Sequence, residues 1–420
     1  MPVHLKIFIA FMVFLAGCTE NAAEPGIICG KLNMSHLDHL YAEVNLANGA
    51  KAGIIHIYSE YPDYSYTIEP KEGYACVDDV ARAAVLFANC PDDSCSNSRS
   101  VILDQMMDFL LYMQSDSGYF YNFIWSDGSI NKTYRTSLPG PDWWSWRSFW
   151  AMEEYAVMSE RNARKIEKAS KKLAERIFED LLTAERTTSE VEGVLVPSWL
   201  PGKTASDQAG VLILALEKYY QRTHDSLAPI LIAQLAEGIM VMQAGDSTHF
   251  PYGAFLSWNN IWHAYGNIQA YALLRAGVLL NNAKFIEKAL IEVDNFYPWL
   301  IENGFLNYFT IKKIEGKYEI IEQEKFPQIA YGIRPVVYAC TEAYRITGKE
   351  KYLSIAKAAA GWFAGKNPAG KVMWDPATGR GFDGIISNDK INLNSGAEST
   401  IEALLALQAL ERWNGDKVER

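Results

Sequence analysis

The sequence predicts an all-α fold, an (α/α)6 toroid in which six helical hairpins, about twelve helices in all, close into a ring. Apolar residues recur at i, i+3 and i+4 along most of the 420 residues. Small, apolar segments such as 206–223 alternate with charged, amphipathic segments such as 163–184, as expected for a buried and a solvent-facing layer. The apolar segments begin near residues 78, 142, 206, 259, 327 and 395, so six hairpins fit the chain.

The elements follow one another as hairpins. The predicted helices cover residues 34–48, 77–89, 97–114, 142–160, 163–184, 206–223, 227–243, 259–279, 282–302, 327–348, 349–365 and 395–412. Helix 34–48 is expected to close the ring. The connections into the inner, apolar helices are long and rich in Trp, Tyr, Gly and Asp, whereas the outgoing turns are short, as at 347–349. One rim of the ring, the elaborated rim, is therefore expected to carry the function, and the opposite rim is the plain rim.

The N-terminal residues have the pattern of an export signal. A short basic start precedes the apolar stretch 7–16, which is about half as long as a membrane-spanning helix. The residues that follow it, Leu15 to Cys18, resemble a bacterial lipobox, so Cys18 is expected to be lipidated and to anchor the chain to a membrane. The alternative is an ordinary secretory signal with a chance cysteine. Because no Asp follows Cys18, the expected location is the outer membrane, cell surface or periplasm of a bacterium.

The chain is expected to hold one folded domain. The predicted segments are a lipoprotein signal peptide over 1–17, a lipidated tether over 18–33 and a single (α/α)6 domain over 34–420. A break into two domains near 185–201 is the alternative, and the unbroken hairpin spacing disfavours it. Export also permits disulfides, and Cys90 and Cys95 flank a four-residue turn that a bridge would close.

Composition and charge narrow the possible partners. The chain has 39 Lys and Arg against 50 Asp and Glu, a formal net charge of −11, and no basic run that would track phosphates, which argues against nucleic acid. No CxxC pair or His cluster has metal-ligand spacing, so neither a metal nor a cofactor is expected. The oligomeric state is left open.

Two motifs resemble a known superfamily. The sequence GYACVDDVARA at 73–83 and NSGAEST at 394–400 resemble signatures of six-hairpin glycosidase-like proteins, including domains associated with bacterial glycosyltransferases. Segment 362–368 is similar to a helix end common in (α/α)6 glycoside hydrolases. The resemblance implies carbohydrate chemistry. More remotely, the chain resembles unsaturated glucuronyl hydrolases, which place two working aspartates on successive helices.

Carboxyl groups at the elaborated rim are the candidate catalytic groups, because glycosidic cleavage usually needs two of them about 5 to 9.5 Å apart. Those in or near the first turn of predicted inner helices are Asp78, Asp79, Asp142, Asp207 and Glu398. Each could instead be a helix cap. Asp79 and Asp142 are the first catalytic pair, with Asp142 as the acid because neighbouring indoles would raise its pKa. Glu398 is the alternative partner.

Aromatic and polar side chains near the same rim are expected to bind the substrate, since sugar rings pack on flat aromatic faces. The residues assigned to binding are Asp78, Trp143, Trp144, Arg147, Asp207, Trp258, Trp262, His263, Tyr331, Arg334 and Asp383. About half of the tryptophans near this rim could fill the core instead.

The leading hypothesis is an exported, lipid-anchored glycoside hydrolase that acts on a poly- or oligosaccharide with two carboxyl groups and no cofactor. One alternative is a polysaccharide lyase, in which His263 or Tyr265 removes a proton from a uronate. The other is a non-catalytic glycan-binding lipoprotein. Carboxyl groups on neighbouring helices, whose axes are about 8 to 10 Å apart, leave room for water and predict inversion or hydration, unless Asp383 closes the gap.

Overall fold

The computed structural model describes residues 28–29, 32–90, 97–157 and 163–414. These residues contain twelve α-helices: α1 (Ser35–Leu40), α2 (Val77–Ala88), α3 (Asn97–Met113), α4 (Trp143–Ala156), α5 (Ala163–Leu182), α6 (Ser206–Thr223), α7 (Leu227–Val241), α8 (Gln269–Leu279), α9 (Ala283–Glu302), α10 (Arg334–Thr347), α11 (Glu350–Ala360) and α12 (Ala397–Asn414). The strands are short: β1 (Ile28–Cys29), β2 (Leu32–Asn33), β3 (Tyr41–Asn45), β4 (Lys51–Ile55), β5 (Tyr58–Glu60), β6 (Ser65–Thr67), β7 (Ala75–Cys76), β8 (Phe123–Ile124), β9 (Thr188–Val191), β10 (Val194–Pro197), β11 (Ile261–His263), β12 (Tyr308–Ile314), β13 (Lys317–Glu324), β14 (Trp374–Asp375), β15 (Arg380–Gly381), β16 (Gly384–Ile385) and β17 (Ile391–Asn392).

The even-numbered helices form a closed inner ring. Each of α2, α4, α6, α8 and α10 contacts the next, and α12 contacts both α10 and α2. The outer helices α3, α5, α7, α9 and α11 pack against the inner helix that precedes each of them. The predicted (α/α)6 toroid is confirmed.

The core lies mainly between the two layers of helices. Leu212 and Leu216 of α6 are fully buried, as are Leu231 and Leu235 of α7, the outer helix that packs against it. No helix within the described residues is long and apolar enough to cross a membrane.

The predicted ring-closing helix 34–48 is wrong beyond its first turns. Only α1 is helical, and the chain then pairs β3 with β4 through a turn that contains Gly49 at φ +82°. The Asn48-Gly49 dipeptide between two apolar runs is a hairpin signal, which the helical spacing of the leucines masked. As a result α1 packs against α12, and β4 packs against α3.

Two inner helices begin later than predicted. Helix α8 starts at Gln269 because residues 261–263 form β11 and Gly266 turns the chain at φ +62°. A Cβ at Gly266 would overlap the Tyr331 hydroxyl, so the turn needs glycine. Helix α10 starts at Arg334 with Pro335 in its first turn, after a short 3-10 turn.

The two rims differ as the sequence predicts. The connection from α9 to the inner helix α10 spans 303–333 and contains β12 and β13, whereas α10 leads into α11 through residues 348–349 alone. All strand pairs within the described residues are antiparallel, and the largest sheet has the order β11-β12-β13. Most of the strands lie in connections that lead into inner helices, so they build the elaborated rim around the N-termini of those helices.

Candidate active site

A cavity of about 310 Å³ opens at the elaborated rim between the first and last inner helices. Its lining comes from both helices and from four connections. The lining residues are Ile57, Tyr58, Glu72, Cys76, Asp78, Asp79, Arg82, Asn122, Phe123, Ile329, Ala330, Asp383, Gly396, Glu398 and Ser399. Three of the carboxyl groups predicted from the sequence therefore meet here with Asp383.

Arg82 joins the two helices at the base of this cavity. Its guanidinium donates to Asp79 at 2.7 Å from α2, and to Glu398 and Glu402 of α12 at 3.1 Å each. Arg82 Nη2 also lies 3.6 Å from Asp78 Oδ2. Because Arg82 is only 5% exposed, its charge has to be balanced by these acidic neighbours.

A second layer of the same network surrounds Tyr331. Arg147 of α4 donates both to Asp78 and to the Tyr331 hydroxyl, and Arg334 of α10 donates to Glu402. The guanidinium carbons of Arg82, Arg147 and Arg334 lie 5.4, 5.1 and 5.5 Å from the centre of the Tyr331 ring. Tyr331 and Arg334, assigned to the substrate from the sequence, are buried and hold four inner helices together.

Two carboxyl groups of the cavity have different electrostatic surroundings. The Glu398 side chain is 43% exposed. Partial burial of its carboxylate raises the pKa of Glu398, and the neighbouring charge of Arg82 opposes this rise. Asp383 Oδ1 accepts from the Gly396 amide at 2.9 Å and the Ser399 hydroxyl at 2.6 Å. Burial raises the pKa of Asp383 as well. Asp383 thus depends on neutral donors, whereas Glu398 has an arginine.

The structure does not bring the predicted pair, Asp79 and Asp142, into one cavity. Asp79 is 2% exposed and lies between Arg82 and the Cys76 thiol, which donates at 3.1 Å. Asp142 caps α4, accepting from the Trp143 amide at 2.8 Å, and it does not line the cavity. Burial raises the pKa of Asp142, in the direction expected from the sequence.

Asp207 lies apart from the cavity, in the first turn of α6. It is 1% exposed, and its Oδ1 accepts from the Gln208 amide at 2.7 Å while Oδ2 is buried without a hydrogen-bond partner. Burial raises the pKa of Asp207 to about 8. The side chain is therefore inaccessible to a substrate in this arrangement.

The predicted tryptophans divide into two groups. Trp144 is buried and donates to the Phe120 carbonyl at 2.6 Å, and Trp262 is stacked on Phe309 in the core, so these two assignments to the substrate are wrong. Trp143 and Trp258 are half-buried at the elaborated rim. The Arg147 guanidinium lies 4.9 Å from the Trp143 ring.

His263 lies on the same rim, beside Tyr265. Its Nδ1 accepts the Tyr265 amide proton at 3.1 Å, and the two rings meet edge to face at 4.0 Å. Burial lowers the pKa of His263 to about 4, so the ring is neutral near pH 7. Since Nδ1 is occupied as an acceptor, the single ring proton is on Nε2, and His263 can donate to a ligand but cannot take a proton there.

Sequence reasoning missed several residues of the cavity and of the buried ion-pair network beside it. Arg82 and Glu402 lie one helical turn after Asp79 and Glu398, and this i+3 and i+4 spacing was the available signal. Tyr58 of β5 donates its hydroxyl to Glu72, in the connection between β6 and β7, at 2.6 Å, and the fold of this N-terminal part was not predicted. No set of His, Cys, Asp and Glu in the described part of the chain is arranged to hold a metal ion.

The predicted modification sites lie mostly outside the described residues. Cys18 and Cys95 both do, whereas Cys90 is described and is disulfide-bonded. The pairing of Cys90 with Cys95 stays a prediction.

Comparison with solved structures finds the same fold in enzymes that act on sugars. A sugar epimerase from a ruminal bacterium has a TM-score of 0.66 at 13% identity, covering 93% of this chain and 98% of the epimerase. For a family 76 glycoside hydrolase, a mannosidase from Bacteroides thetaiotaomicron VPI-5482, the TM-score is 0.58 at 13% identity, with 90% and 98% covered. A D-mannose isomerase gives 0.57 at 13%, with 85% and 91% covered.

Neither the protein-family models nor the curated proteins include a match to this chain. The structural neighbours confirm the fold that the resemblance implies. At these identities the likeness establishes the fold and leaves the reaction to be argued from the site.

Proposed function

We propose that this protein is a carbohydrate-active enzyme that hydrolyses a glycosidic bond, with Asp383 as the general acid and Glu398 as its ionised partner. The observation that carries the proposal is the convergence of these two carboxyl groups on one rim cavity with unlike neighbours. Burial raises the pKa of both groups, but Arg82 opposes the rise at Glu398, while Asp383 has no arginine or lysine among its hydrogen-bond partners in the described residues. Unlike surroundings are what separates an acid from a base in this chemistry.

The proposal keeps Glu398 from the sequence and replaces its partner. Asp383 and Glu398 both lie at the N-terminus of α12, because the carboxylate of Asp383 accepts from Gly396 and Ser399. The distance between neighbouring helix axes therefore no longer decides the stereochemistry, and the expected inversion is a prediction to be tested on its own.

The lyase alternative has less support from the same rim. A lyase needs a base and a cation that neutralises the uronate. His263 has its proton on Nε2, and burial raises the pKa of Tyr265, so neither is a ready base. In the described part of the chain one guanidinium lines the cavity, that of Arg82, and it already has acidic partners.

The reaction is tested by a product screen with the full chain. Manno-, gluco- and uronate-containing glycans are incubated with the protein, and reducing ends, near-ultraviolet absorbance and the proton NMR spectrum of free sugars are recorded. New reducing ends without absorbance support hydrolysis. Absorbance from a new double bond indicates a lyase, an epimerised sugar without cleavage indicates an epimerase, and binding without any product indicates a glycan-binding protein; each of these overturns the proposal.

We also propose that the chain is exported and held at a bacterial membrane through lipidated Cys18. The support is the N-terminal sequence pattern, together with a disulfide at Cys90, which suits an oxidising compartment. The variant Cys18→Ser is expected to move from the membrane fraction to the soluble fraction and to lose incorporation of labelled fatty acid. Cys340→Ser is the matched control, because that thiol is free and buried. Membrane retention of Cys18→Ser would contradict the lipid anchor.

A further inference from the structure

The charges around the rim cavity point to the kind of sugar it takes. Among the described residues, five carboxyl groups line the cavity and one guanidinium is the only basic group: Glu72, Asp78, Asp79, Asp383 and Glu398 face Arg82. No lysine or histidine lines it. A ligand that enters the cavity therefore meets an acidic wall.

The single cation is fully engaged. Its Nη1 donates to Glu398 and Glu402, and its Nη2 donates to Asp79 and faces Asp78 at 3.6 Å. The remaining donor, Nε, points to the Asp78 carbonyl at 3.4 Å. A guanidinium has five N–H groups, so none is left for a carboxylate brought by the ligand.

Several carboxylate oxygens of the same cavity have no hydrogen-bond donor among the described residues. Asp78 Oδ1 is buried without a hydrogen-bond partner, although Oδ2 accepts from Arg147. Asp383 uses Oδ1 for both of its donors. Glu72 accepts from Tyr58 through one oxygen, Oε2. The cavity thus presents carboxylate oxygens that a donor on the ligand could satisfy.

We infer that the cavity selects sugars by charge, binding a cationic amino sugar more tightly than its neutral analogue and excluding a uronate. The inference rests on the proposed function, since it assigns the substrate class of the same cavity. An ammonium group brings three donors and a positive charge to the unpartnered oxygens, and charge-assisted hydrogen bonds are stronger than neutral ones. A uronate would bring a further carboxylate to a cavity whose lining guanidinium is already engaged by acidic partners.

The probes are glucosamine, glucose and glucuronate, which share one ring and differ in charge. Binding to the full chain is measured by saturation-transfer NMR at low ionic strength, at a mildly acidic pH that keeps the amine protonated. Glucosamine is expected to bind about tenfold more tightly than glucose, equivalent to about 1.4 kcal/mol, with no detectable binding of glucuronate. Added salt should reduce the preference for glucosamine. Equal affinity for glucosamine and glucose, binding of glucuronate, or no binding of glucosamine overturns the inference.

A pair of variants locates the effect. Glu72→Gln removes one carboxylate from the cavity and should lower the ratio of glucosamine to glucose affinity severalfold. Glu319→Gln removes an exposed carboxylate from β13 that pairs with Lys312 and does not line the cavity, and it should leave the ratio unchanged. Thermal unfolding checks that each variant is folded. The effect of added salt is measured on the unaltered chain, so it tests the inference even if a variant fails to fold. An unchanged ratio in folded Glu72→Gln overturns the role of the cavity.

The binding and cleavage experiments fail separately. If the chain cleaves glycans but binds glucuronate as tightly as glucosamine, the inference of charge selection is refuted and the proposed hydrolysis is supported. If it cleaves nothing but prefers glucosamine, the proposed reaction falls and the charge selection of the cavity stands.

Discussion

The two ends of the inner ring each hold a cavity lined by charged side chains, and they differ in charge balance. The cavity at the plain rim, about 170 Å³, pairs its carboxylates with bases: Glu154 with Lys218 at 3.1 Å, Glu217 with Arg275 at 3.0 Å, and Glu342 with Arg345 at 2.6 Å. At the elaborated rim, five carboxyl groups of the described residues line the cavity together with a single guanidinium, that of Arg82.

Helix polarity explains part of this difference. The inner helices have their N-termini at the elaborated rim, where partial positive charge favours acidic groups, and their C-termini at the plain rim, where bases are favoured. Helix polarity does not explain why carboxyl groups outnumber basic groups in the lining of the cavity at the elaborated rim. An unbalanced buried charge destabilises the fold, so the comparison indicates that the balanced end serves stability and the unbalanced end serves chemistry.

The largest expected effect is on turnover at the elaborated rim. Asp383→Asn and Glu398→Gln should each lower kcat by at least about 10²-fold, since acid or base catalysis contributes that much. Glu398→Gln should also lower the melting temperature, because buried Arg82 loses one of its acidic partners. Turnover is measured on the glycan identified by the product screen, with circular dichroism as a check of the fold.

Asp142→Asn is the matched variant outside the cavity. The sequence alone predicts a loss of about 10²-fold for it, whereas the structure predicts turnover within about tenfold of the unaltered chain. If Asp142→Asn loses as much as Asp383→Asn, the pair predicted from the sequence is correct and the assignment of the cavity fails.

At the plain rim the expected effect is on stability. Arg275→Met removes the guanidinium that donates to Glu217. The same guanidinium lies 3.7 Å from the carboxylate of Glu342. Because the Arg275 side chain is 22% exposed, the loss in the free energy of unfolding should be about 2 kcal/mol, below the cost at a fully buried pair. Urea unfolding measures it, and kcat should stay unchanged. A fall in kcat without a fall in stability would contradict the division between the two ends.

The remaining expected effect is a change in pH dependence. Asp207 has its pKa raised to about 8 by burial, against about 3.9 in the unfolded chain. Between these values the folded chain holds a proton that the unfolded chain has lost, so stability falls as pH rises, by at most about 1.4 kcal/mol per pH unit. Asp207→Asn should flatten this part of the stability curve. An unchanged slope in urea unfolding from pH 4 to pH 8 would show that Asp207 is ionised in the folded chain.

Much of the ring could be predicted from the sequence because apolar spacing reports directly on helices packed on one face. The prediction 206–223 for α6 agrees with the structure, and α9 at Ala283–Glu302 begins one residue late. The β3-β4 hairpin could not be predicted in this way, because Val44 continues the helical period of Leu37 and Leu40 in α1. Only the Asn48-Gly49 turn distinguishes the two.

The site was predicted at the level of the rim and not of the side chain. Trp143 and Trp144 are adjacent in the sequence, yet only Trp144 is captured by the Phe120 carbonyl and buried. From the sequence, Asp383 was assigned to binding and not to catalysis. Its hydrogen bonds to Gly396 and Ser399 could not be predicted, because they depend on how a rim loop folds over α12. Such choices depend on tertiary partners that a periodic pattern does not contain.

The bridge from Arg82 to Glu398 also bears on when the protein becomes active. These two residues are 316 positions apart in the chain, and the cavity lies between the first inner helix and the last. During synthesis the arginine leaves the ribosome long before the glutamate that it binds, so the cavity can form only after the C-terminal helix has emerged. Closing so long a loop is entropically costly and slow. A nascent or C-terminally truncated chain would therefore lack the site, even if its earlier hairpins had folded.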